Sequence, residues 1–333
     1  MEDDRISLAH GNGGRFMREL IEEVFARNLG STELDVQADA VAIALGEGEV
    51  MITTDGFTVK PLEFPGGDIG SLAVHGTTND LAVAGARPMF LTLNAFIEEG
   101  FEIARLDRIV ASLAKAAREA GVKVCAGDTK VLQRGEGGGV YLATTGVGIR
   151  LPGVKLSLAN IQDGDVILVS GPIGDHGTAV MLAREEFGLR GDLQSDAASV
   201  IPLTESLLEL DGLRFMRDPT RGGIASIAHE ILRATGFGVR FEPTVPVRES
   251  VQSVCDMLGY DPYYLACEGR VVAVVAPDQA DAALARWLAL DEGRDAARIG
   301  RISARDERVI LETDLGGERF LEELEDDPLP RIC

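Results

Sequence analysis

The sequence has little positive charge. Its 333 residues include 32 Lys and Arg but 54 Asp and Glu, which gives a formal net charge of -22 at pH 7. A nucleic-acid backbone or an anionic membrane repels so acidic a chain, and we expect neither as a partner. The sequence also shows no N-terminal signal sequence and no apolar run long enough to span a bilayer. We therefore expect a cytoplasmic protein.

Cysteine and histidine are also scarce. The chain has 4 residues of each type, without a C-x-x-C pair or histidines at zinc-ligand spacing, which argues against a zinc site. In a reducing cytosol the thiols of Cys125, Cys255, Cys267 and Cys333 should be free. Cys125 lies in the apolar run 122–126, and we expect it in the core.

Apolar residues make up 45% of the chain, enough for one large or two medium globular domains. Strand and helix patterns alternate, with adjacent hairpins, which predicts an α/β (α+β) layer structure. Pro- and Gly-containing stretches interrupt the pattern between residues 150 and 163. We predict an N-terminal domain over 1–155, a C-terminal α/β domain over 156–321 and a flexible tail over 322–333.

Periodicity predicts several elements. Apolar residues at helical spacing predict a helix over 103–120: Leu106, Ile109, Val110, Leu113 and Ala117. The runs 41–45 and 50–54 are joined by a Gly-Glu-Gly-Glu linker, which predicts a β-hairpin. Short, mostly apolar runs at 122–126, 166–170 and 270–276 predict strands.

The tail ends in a thiol. Cys333 is the terminal residue, where a thiol cannot serve a core or close a local loop, so we interpret it as a group that other molecules reach. Pro328 and Pro330 favour a semi-rigid arm, and the acidic run 322–327 suits a mobile hinge. Arg331 favours the thiolate, whereas a terminal carboxylate opposes it. The alternative is a chance cysteine in a disordered terminus.

Glycine loops and aspartates carry the other signals. The loop that contains His10, Gly13 and Gly14 precedes a predicted helix over 16–25. It is either a phosphate-binding loop or a plain glycine turn. Its sequence matches neither the P-loop pattern nor the dinucleotide-binding fingerprint. Five aspartates are predicted in loops or at element ends: Asp55, Asp68, Asp80, Asp128 and Asp218. Each alone suits a cap or turn, but together with glycine loops they indicate a Mg–ATP site.

These stretches carry a resemblance that runs nearly end to end. The chain resembles the HypE family of hydrogenase maturation carbamoyl dehydratases, within the superfamily of aminoimidazole ribonucleotide synthetase, selenophosphate synthetase and thiamine-monophosphate kinase. The matching motifs are His10-Gly11-Asn12-Gly13-Gly14, Thr53-Thr54-Asp55, Phe64-Pro65-Gly66-Gly67-Asp68-Ile69-Gly70, Asn79-Asp80-Leu81-Ala82, Gly127-Asp128-Thr129-Lys130, Gly174-Asp175-His176-Gly177, Met216-Arg217-Asp218-Pro219-Thr220-Arg221-Gly222-Gly223 and Pro330-Arg331-Ile332-Cys333. Cys267 departs from the family, which has asparagine before Glu268.

The resemblance implies a two-domain aminoimidazole ribonucleotide synthetase-like fold. Its N-terminal domain binds ATP and forms a homodimer through its strands, with ATP along the interface. A carbamoyl group that the carbamoyltransferase HypF places on Cys333 would be dehydrated to a thiocyanate with ATP. The cyanide would then pass to iron on the HypC–HypD complex.

The resemblance and the loop chemistry together assign residues to three roles. Catalysis would use Cys333, Lys130 and Glu268, and Mg²⁺ would bind Asp55, Asp80, Asp128 and Asp218. ATP would contact His10, Gly13, Gly14, Asp68, Asn79, Gly127 and Thr129. Glu268 could instead be a cap or surface residue and Lys130 a phosphate contact. Asp68 could join the metal cluster or orient phosphates, and His10 and His176 could touch phosphate or serve as structural hydrogen-bonding groups.

Two alternatives remain on sequence grounds. A kinase or synthetase of the same superfamily would phosphorylate a soluble compound and would not need Cys333. A non-enzymatic thiol carrier would use Cys333 but hydrolyse no ATP, and the loop aspartates argue against it.

Overall fold

The computed structural model describes residues 4–12, 15–30, 34, 40–150, 152–184, 191–313 and 315–324. These residues form two compact units. The first contains those of Met1–Leu81 and Ala86–Pro152, and the second contains Ala82–Gly85 and those of Gly153–Ile332. The boundaries predicted after residues 155 and 321 stay predictions. Among the described residues, no helix has both the length and the apolar character needed to cross a membrane.

The first unit is built on a four-stranded sheet with the order β1-β6-β4-β5, in which only β4 and β5 are parallel. The strands of this unit are β1 (Glu49–Phe57), β2 (Glu63–Phe64), β3 (Gly67–Asp68), β4 (Ala86–Glu98), β5 (Lys123–Leu132) and β6 (Val140–Arg150). Its helices are α1 (Arg15–Leu20), which continues through the π-helical turn Ile21–Ala26 into α2 (Arg27–Leu29), then α3 (Ile69–Val83) and α4 (Ile103–Glu119).

Helix α4 is the crossover that the parallel strands β4 and β5 require. The residues that predicted this helix are all buried: Leu106, Ile109, Val110, Leu113 and Ala117. The predicted helix over 103–120 is therefore confirmed, and so is the helix predicted over 16–25, which lies within the helical run that starts at Arg15.

Helix α3 packs on one face of the sheet. Thr77 of α3 contacts Thr144 of β6 through their hydroxyls, and the Thr144 hydroxyl donates to Ala73 O (3.3 Å). Gly146 permits this approach, since a Cβ there would lie 2.8 Å from the Thr77 methyl and 3.0 Å from Leu81. Residues aligned with Thr144 across the sheet therefore face the helices.

The opposite side of the sheet, which we call the open face, is exposed or half-buried. It carries the residues that alternate with the helix-facing ones: Val50, Ile52, Thr54, Thr145, Asn94 and Asp128. Ile52 is 70% exposed and Val50 is 54% exposed. Both lie on β1, an edge strand, so the sheet presents apolar surface at that edge.

The predicted hairpin of runs 41–45 and 50–54 is wrong. Residues 41–45 contain no strand and are exposed or half-buried. The second run belongs to β1, which pairs antiparallel with β6 from Glu49↔Arg150 to Phe57↔Leu142. An isolated two-stranded hairpin is marginally stable, whereas β1 gains a sheet and a helix-covered face by pairing with β6.

The second unit is a seven-stranded sheet with the order β13-β12-β9-β11-β7-β10-β8, in which β12 and β9 are parallel. The strands are β7 (Val166–Val169), β8 (Leu213–Arg217), β9 (Gly238–Phe241), β10 (Val272–Val275), β11 (Ala297–Ser303), β12 (Val309–Glu312) and β13 (Glu318–Phe320). The helices are α5 (Asp175–Ala183), α6 (Ile201–Leu207), α7 (Gly223–Thr235), α8 (Glu249–Leu258) and α9 (Ala280–Leu288).

Apolar side chains cover both faces of this sheet. One face packs against α7 through residues such as Ile227, and the other packs against α6 and α9 around Trp287. Strands buried on both faces read as continuous apolar runs, which is why β7 and β10 were detectable in the sequence. The predicted α/β (α+β) class is confirmed.

The last described residues are attached to the second unit. The His229 ring donates from Nε2 to Leu321 O (2.9 Å), and Tyr264 Oη donates to Glu322 O (2.6 Å). Arg233 pairs with the carboxylate of Glu323. These contacts tie Glu322 and Glu323, the first two residues of the predicted hinge, to the 3-10 turn Pro262–Tyr264 and to α7. Residues 325–327 of the hinge lie outside the described residues, so the hinge stays a prediction.

Candidate functional site

Two predicted metal ligands of the first unit lie on the helix-covered side of the sheet. Thr53 on β1 donates its hydroxyl to Asp80 Oδ2 on α3 (2.8 Å). Asp55 lies two residues further along β1 on the same face, where a Cβ on Gly76 would be 3.6 Å from Asp55 Oδ2. Gly76 is one helical turn before Asp80, so the two carboxylates lie about one helical pitch, ~5 Å, apart along the helix.

The position of Asp55 within its element differs from the prediction. Asp55 is inside β1, which continues to Phe57 because pairing with β6 extends the strand. Asp80 lies in the last turn of α3, near the end of its element as predicted. Asn79, the predicted ATP contact beside Asp80, is buried with 1% exposure.

The donor set around Asp55 and Asp80 fits Mg²⁺. Both side chains offer carboxylate oxygens, the ligand type that Mg²⁺ prefers, and proteins hold this ion with one or two carboxylates plus phosphates and waters. Among the residues that the structure describes, no three His, Cys, Asp or Glu side chains converge on one point. The two carboxylates of one chain would therefore hold such an ion only in part.

Asp128 and Lys130 lie on the open face. β5 runs from Lys123 to Leu132, so Asp128 is a mid-strand residue, not one beyond a strand that ends at residue 126. Lys130 Nζ is 3.0 Å from Asp128 Oδ2. Its hydrogen bond is the main reason why the pKa of Asp128 lies below the ordinary value, although burial opposes it and the Thr129 N–H contributes.

Strand pairing separates Asp128 from Asp55. Across the sheet, Asp128 aligns with Asn94, Asn94 with Ala143, and Ala143 with Gly56. Asp128 therefore lies on the same face as Gly56. Asp55, the residue before Gly56, lies on the opposite face. β1 and β5 are the two edges of the sheet. Three strand spacings of ~4.8 Å put them about 14 Å apart. One ion cannot bind Asp55 and Asp128 of the same chain.

Gly127 and Thr129, the predicted ATP contacts on β5, line a cavity of about 160 Å³. Thr129 is buried, and its backbone N–H donates to Asp128 Oδ1 (2.8 Å). The other walls are apolar and include Ile21 and Phe25 of the N-terminal helical segment. Asp128 also lines this cavity, so it combines apolar walls with one carboxylate.

Asp68 caps helix α3. Its Oδ1 accepts from the backbone N–H of Gly70 (2.7 Å) and of Ser71 (2.9 Å), which satisfies two free donors of the first turn. Burial raises the pKa of Asp68 despite these bonds and one from Ser112. Asp80 lies twelve residues further along the helix, about 18 Å away at 1.5 Å per residue. Asp68 and Asp80 of one chain therefore cannot share an ion.

His10 is held by local hydrogen bonds. It lies in the 3-10 turn Leu8–Gly11, is fully buried, and its Nδ1 accepts from the Ser7 backbone N–H (3.0 Å). Its ring lies 5.6 Å from that of Phe16. These contacts match the structural role that the sequence left open for His10. Gly13 and Gly14, predicted beside it as ATP contacts, lie outside the described residues.

In the second unit, Asp218 and Glu268 lie on neighbouring loops. Asp218 follows β8 directly, as predicted, and is 6% exposed; Glu268 is 2% exposed. The loops are joined where the Cys267 backbone N–H donates to Pro219 O (2.9 Å). Glu268 is therefore a buried residue, not a surface or cap glutamate.

Cys267, the departure from the family pattern, has a buried thiol that accepts from the Gly174 N–H (3.2 Å). Burial raises its pKa well above the ordinary value. His176, also buried, has its Nδ1 2.8 Å from Ser195 Oγ. Both side chains therefore make structural contacts next to the Glu268 loop.

Sequence reasoning missed Asp196. Its side chain is 1% exposed and its Oδ1 accepts from the Glu268 backbone N–H (3.2 Å). The surrounding residues 191–200 form no helix or strand and match no motif, so no pattern pointed to Asp196. Cys333, the predicted substrate carrier, lies outside the described residues.

We expect Asp68 to act as a helix cap. Asp68→Ala should lower the free energy of unfolding by about 1 kcal/mol, because two N–H groups lose their acceptor. Asp68→Asn keeps an acceptor oxygen and should retain both stability and nucleotide affinity. Urea denaturation and nucleotide titration measure the two quantities. Loss of affinity in the Asn variant at unchanged stability would instead support the predicted ATP contact.

Family models match both units. The AIR synthase related protein, N-terminal domain, matches residues 37–150, and the AIR synthase related protein, C-terminal domain, matches residues 162–312.

Individual proteins are similar over the whole length. The carbamoyl dehydratase HypE of Azotobacter vinelandii is 46% identical over 336 residues, which cover 100% of this chain and 98% of that protein. A crystal structure of the hydrogenase maturation protein HypE in complex with ATP is 43% identical, with a TM-score of 0.93 over 98% of this chain and 99% of that one. A HypE–HypF complex is 44% identical, with a TM-score of 0.81 over 92% of this chain and 99% of that one. The chain belongs to the HypE family of hydrogenase maturation carbamoyl dehydratases, within the AIR synthase related proteins.

Proposed function

We propose that this chain uses ATP to dehydrate a carbamoyl group on the Cys333 sulfur to a thiocyanate, the source of the cyanide ligand of [NiFe] hydrogenase iron. The observation that carries the proposal is full-length similarity to named carbamoyl dehydratases, in a sequence that ends in cysteine. The ATP complex of a 43% identical HypE supports the nucleotide.

The other three thiols are unsuited to carry a substrate. Cys125, Cys255 and Cys267 are all buried. Burial raises the pKa of Cys255 to about 12 and that of Cys267 well above the ordinary value. A thiol attacks as the thiolate, so these two are inert at neutral pH. Cys333 is the remaining candidate.

The attachment of the tail supports a reaction near Glu268. Tyr264, which holds Glu322, precedes Glu268 by only four residues. Nine residues follow Leu324, the last of them Cys333. Fully extended, nine residues would reach about 30 Å. A thiol on such an arm would reach Glu268 from an attachment point on the same unit.

The chemistry needs an activated oxygen and a base. The carbamoyl oxygen is a poor leaving group, and phosphorylation by ATP converts it to phosphate, with ADP as the other product. One nitrogen proton is lost as the oxygen is phosphorylated. The second is lost as phosphate departs, which leaves S–C≡N. The balance is one carbamoyl group and ATP giving thiocyanate, ADP, phosphate and a proton.

In this reaction, the position of each residue would determine its role. Asp55 and Asp80 would hold Mg²⁺, which neutralises phosphate charge during the transfer. Glu268 would take the nitrogen proton, since a carboxylate buried beside the loop of Asp218 is held in one place. Lys130, paired with Asp128 as an ammonium, would stabilise the negative charge of the transferred phosphoryl group.

A homodimer would complete the site. Asp128 and Lys130 lie on the open face, where one chain cannot combine them with Asp55. A second copy that covers this face would bury Ile52 and Val50 and bring a second set of charges to the nucleotide, with ATP along the interface. Asp218 would add a fourth carboxylate to the metal site.

HypF would be the carbamoyl donor, as the complex of a 44% identical HypE with HypF suggests. The HypC–HypD complex would be the acceptor. The net charge of -22 favours protein partners over nucleic acid or membranes and suits a cytoplasmic location.

The central experiment is intact mass measurement after incubation with HypF and carbamoyl phosphate, before and after Mg–ATP. We expect a carbamoyl adduct on Cys333 that loses one water only with ATP. Cys333→Ala should form no adduct but bind ATP normally, and Cys255→Ala should behave as wild type. ATP consumption on a soluble acceptor, without an adduct, would favour a kinase or synthetase of the superfamily; an adduct unchanged by ATP would favour a carrier.

Asp80→Asn tests the magnesium site. The amide oxygen can still accept from Thr53, so packing is kept while the charge is lost. We expect Mg–ATP affinity or turnover to fall about 10- to 100-fold. Asp107→Asn, a change at an exposed ion pair on α4, is the control and should have no effect. If the variant hydrolyses ATP at the wild-type rate at limiting Mg²⁺, Asp80 is not a magnesium ligand.

Ile52→Asp tests the homodimer. A charge at this 70% exposed position would be buried between two copies and should dissociate them. Light scattering should report half the wild-type mass, with weaker ATP binding. Leu315→Asp, at a 98% exposed position, should leave the mass unchanged. A dimer that persists in Ile52→Asp would exclude the open face as the interface.

A further inference from the structure

The loop that carries Glu268 is tied to the second unit on one side by backbone groups. The Gly177 N–H donates to Ala266 O (3.0 Å), and the Cys267 N–H donates to Pro219 O (2.9 Å). These bonds come from the start of α5 and from the loop after β8. They fix the chain up to residue 267 but leave the peptide groups of Glu268 itself to other partners.

Residues 191–200 provide those partners. Asp196 Oδ1 accepts from the Glu268 N–H (3.2 Å), and the Ala198 N–H donates to Glu268 O (3.4 Å). Gly269 lies directly against the same stretch, since a Cβ there would be 1.9 Å from Asp196 O. Both peptide groups of Glu268 are thus held by a segment without regular structure.

Burial of the Asp196 carboxylate is energetically unfavourable. Its side chain is 1% exposed, and its Oδ2 lies 3.4 Å from Arg270 Nε without accepting a hydrogen bond within the described part of the chain. Burial raises its pKa, while Arg270 and the N–H groups of Glu268 and Gly269 oppose that effect. Removing a carboxylate from water is unfavourable, and such a group calls for an explanation beyond loop packing.

Arg270 links Asp196 to the rest of the fold. Its Nη2 is 3.6 Å from Asp175 Oδ2 at the start of α5, and Asp175 also accepts from Arg248 Nε (2.8 Å). The carboxylate of Asp196 is therefore oriented by a cation that is itself anchored to a helix. This arrangement fixes Asp196 Oδ1 in front of the Glu268 N–H.

We propose that Asp196 is a positioning residue that holds the backbone of Glu268, so that the Glu268 carboxylate meets the carbamoyl nitrogen on the tail. This inference rests on the proposed function, in which Glu268 takes a proton from that nitrogen. It assigns a role to a segment that no motif marks. A displacement of about 1 Å of a catalytic group can slow a reaction about 100-fold.

Single-turnover dehydration of carbamoylated protein tests the proposal. Asp196→Ala removes the acceptor and should slow dehydration about 100-fold with unchanged ATP affinity. Asp196→Asn keeps an oxygen acceptor and should retain most of the rate. If the Ala variant does not fold, Asp196→Ser serves in its place, because its hydroxyl is too short to reach the Glu268 N–H.

Asp165→Ala is the matched control. Asp165 is equally buried at 1% exposure, lies 3.5 Å from Arg214, and its Oδ2 accepts from the Gln162 N–H (2.7 Å). The Asp165→Ala variant should be less stable, but each folded molecule should dehydrate the carbamoyl group at the wild-type rate. Equal slowing in both variants, a wild-type rate in Asp196→Ala, or no rescue by Asn would overturn the proposal.

Glu268→Gln separates this inference from the proposed function. If Glu268→Gln dehydrates at the wild-type rate, the assignment of Glu268 as the base is wrong whatever Asp196 does. If Glu268→Gln is inactive while Asp196→Ala is fully active, the base assignment stands and the positioning role of Asp196 is wrong.

Discussion

The alternation of side chains along the strands of the first unit limits what one copy of the chain can do. Asp55 faces α3 and Asp80, whereas Asp128 and Lys130 face the other side at the far edge of the sheet. No rearrangement of side chains brings these carboxylates to one ion while the register holds. In the proposed function, a nucleotide whose phosphates need charge from both sets would lie where two chains meet, and dimerisation and ATP binding would then be a single requirement.

The second unit meets a different constraint, the burial of charge. Glu268 and Asp196 are both almost fully buried, and Arg270 connects Asp196 to α5. Each buried charge restricts its neighbours, because breaking one pair leaves the other charge unsolvated. Such a network has few alternative arrangements. In the proposed function, that rigidity would hold Glu268 in place for taking a proton from the substrate.

Local patterns in the sequence predicted local structure well. The helix Ile103–Glu119 followed from its apolar spacing, and β7 and β10 followed from continuous apolar runs. The predicted hairpin was wrong because the true partner of β1 is β6, about 90 residues away, and spacing carries no information on such a pairing. The motifs singled out Asp55, Asp80 and Glu268, but the end of the strand that carries Asp55 was placed too early, because pairing with β6 extends β1 to Phe57. Asp196 was not predictable, because it reaches Glu268 across 72 residues of sequence and belongs to no motif.

The attachment of the last described residues bears on how Cys333 would work in the proposed function. A thiol in the fold is protected by the burial that gives the fold its stability, as the raised pKa of Cys255 and Cys267 demonstrates. A carrier thiol would instead visit a donor protein, a buried base and an acceptor protein. Attachment at Leu321 and Glu322 would shorten the segment between the fold and that thiol, and the cost of bringing two chain ends together grows only slowly with length. Such an attachment would therefore raise the local concentration of substrate at Glu268 with little loss of reach.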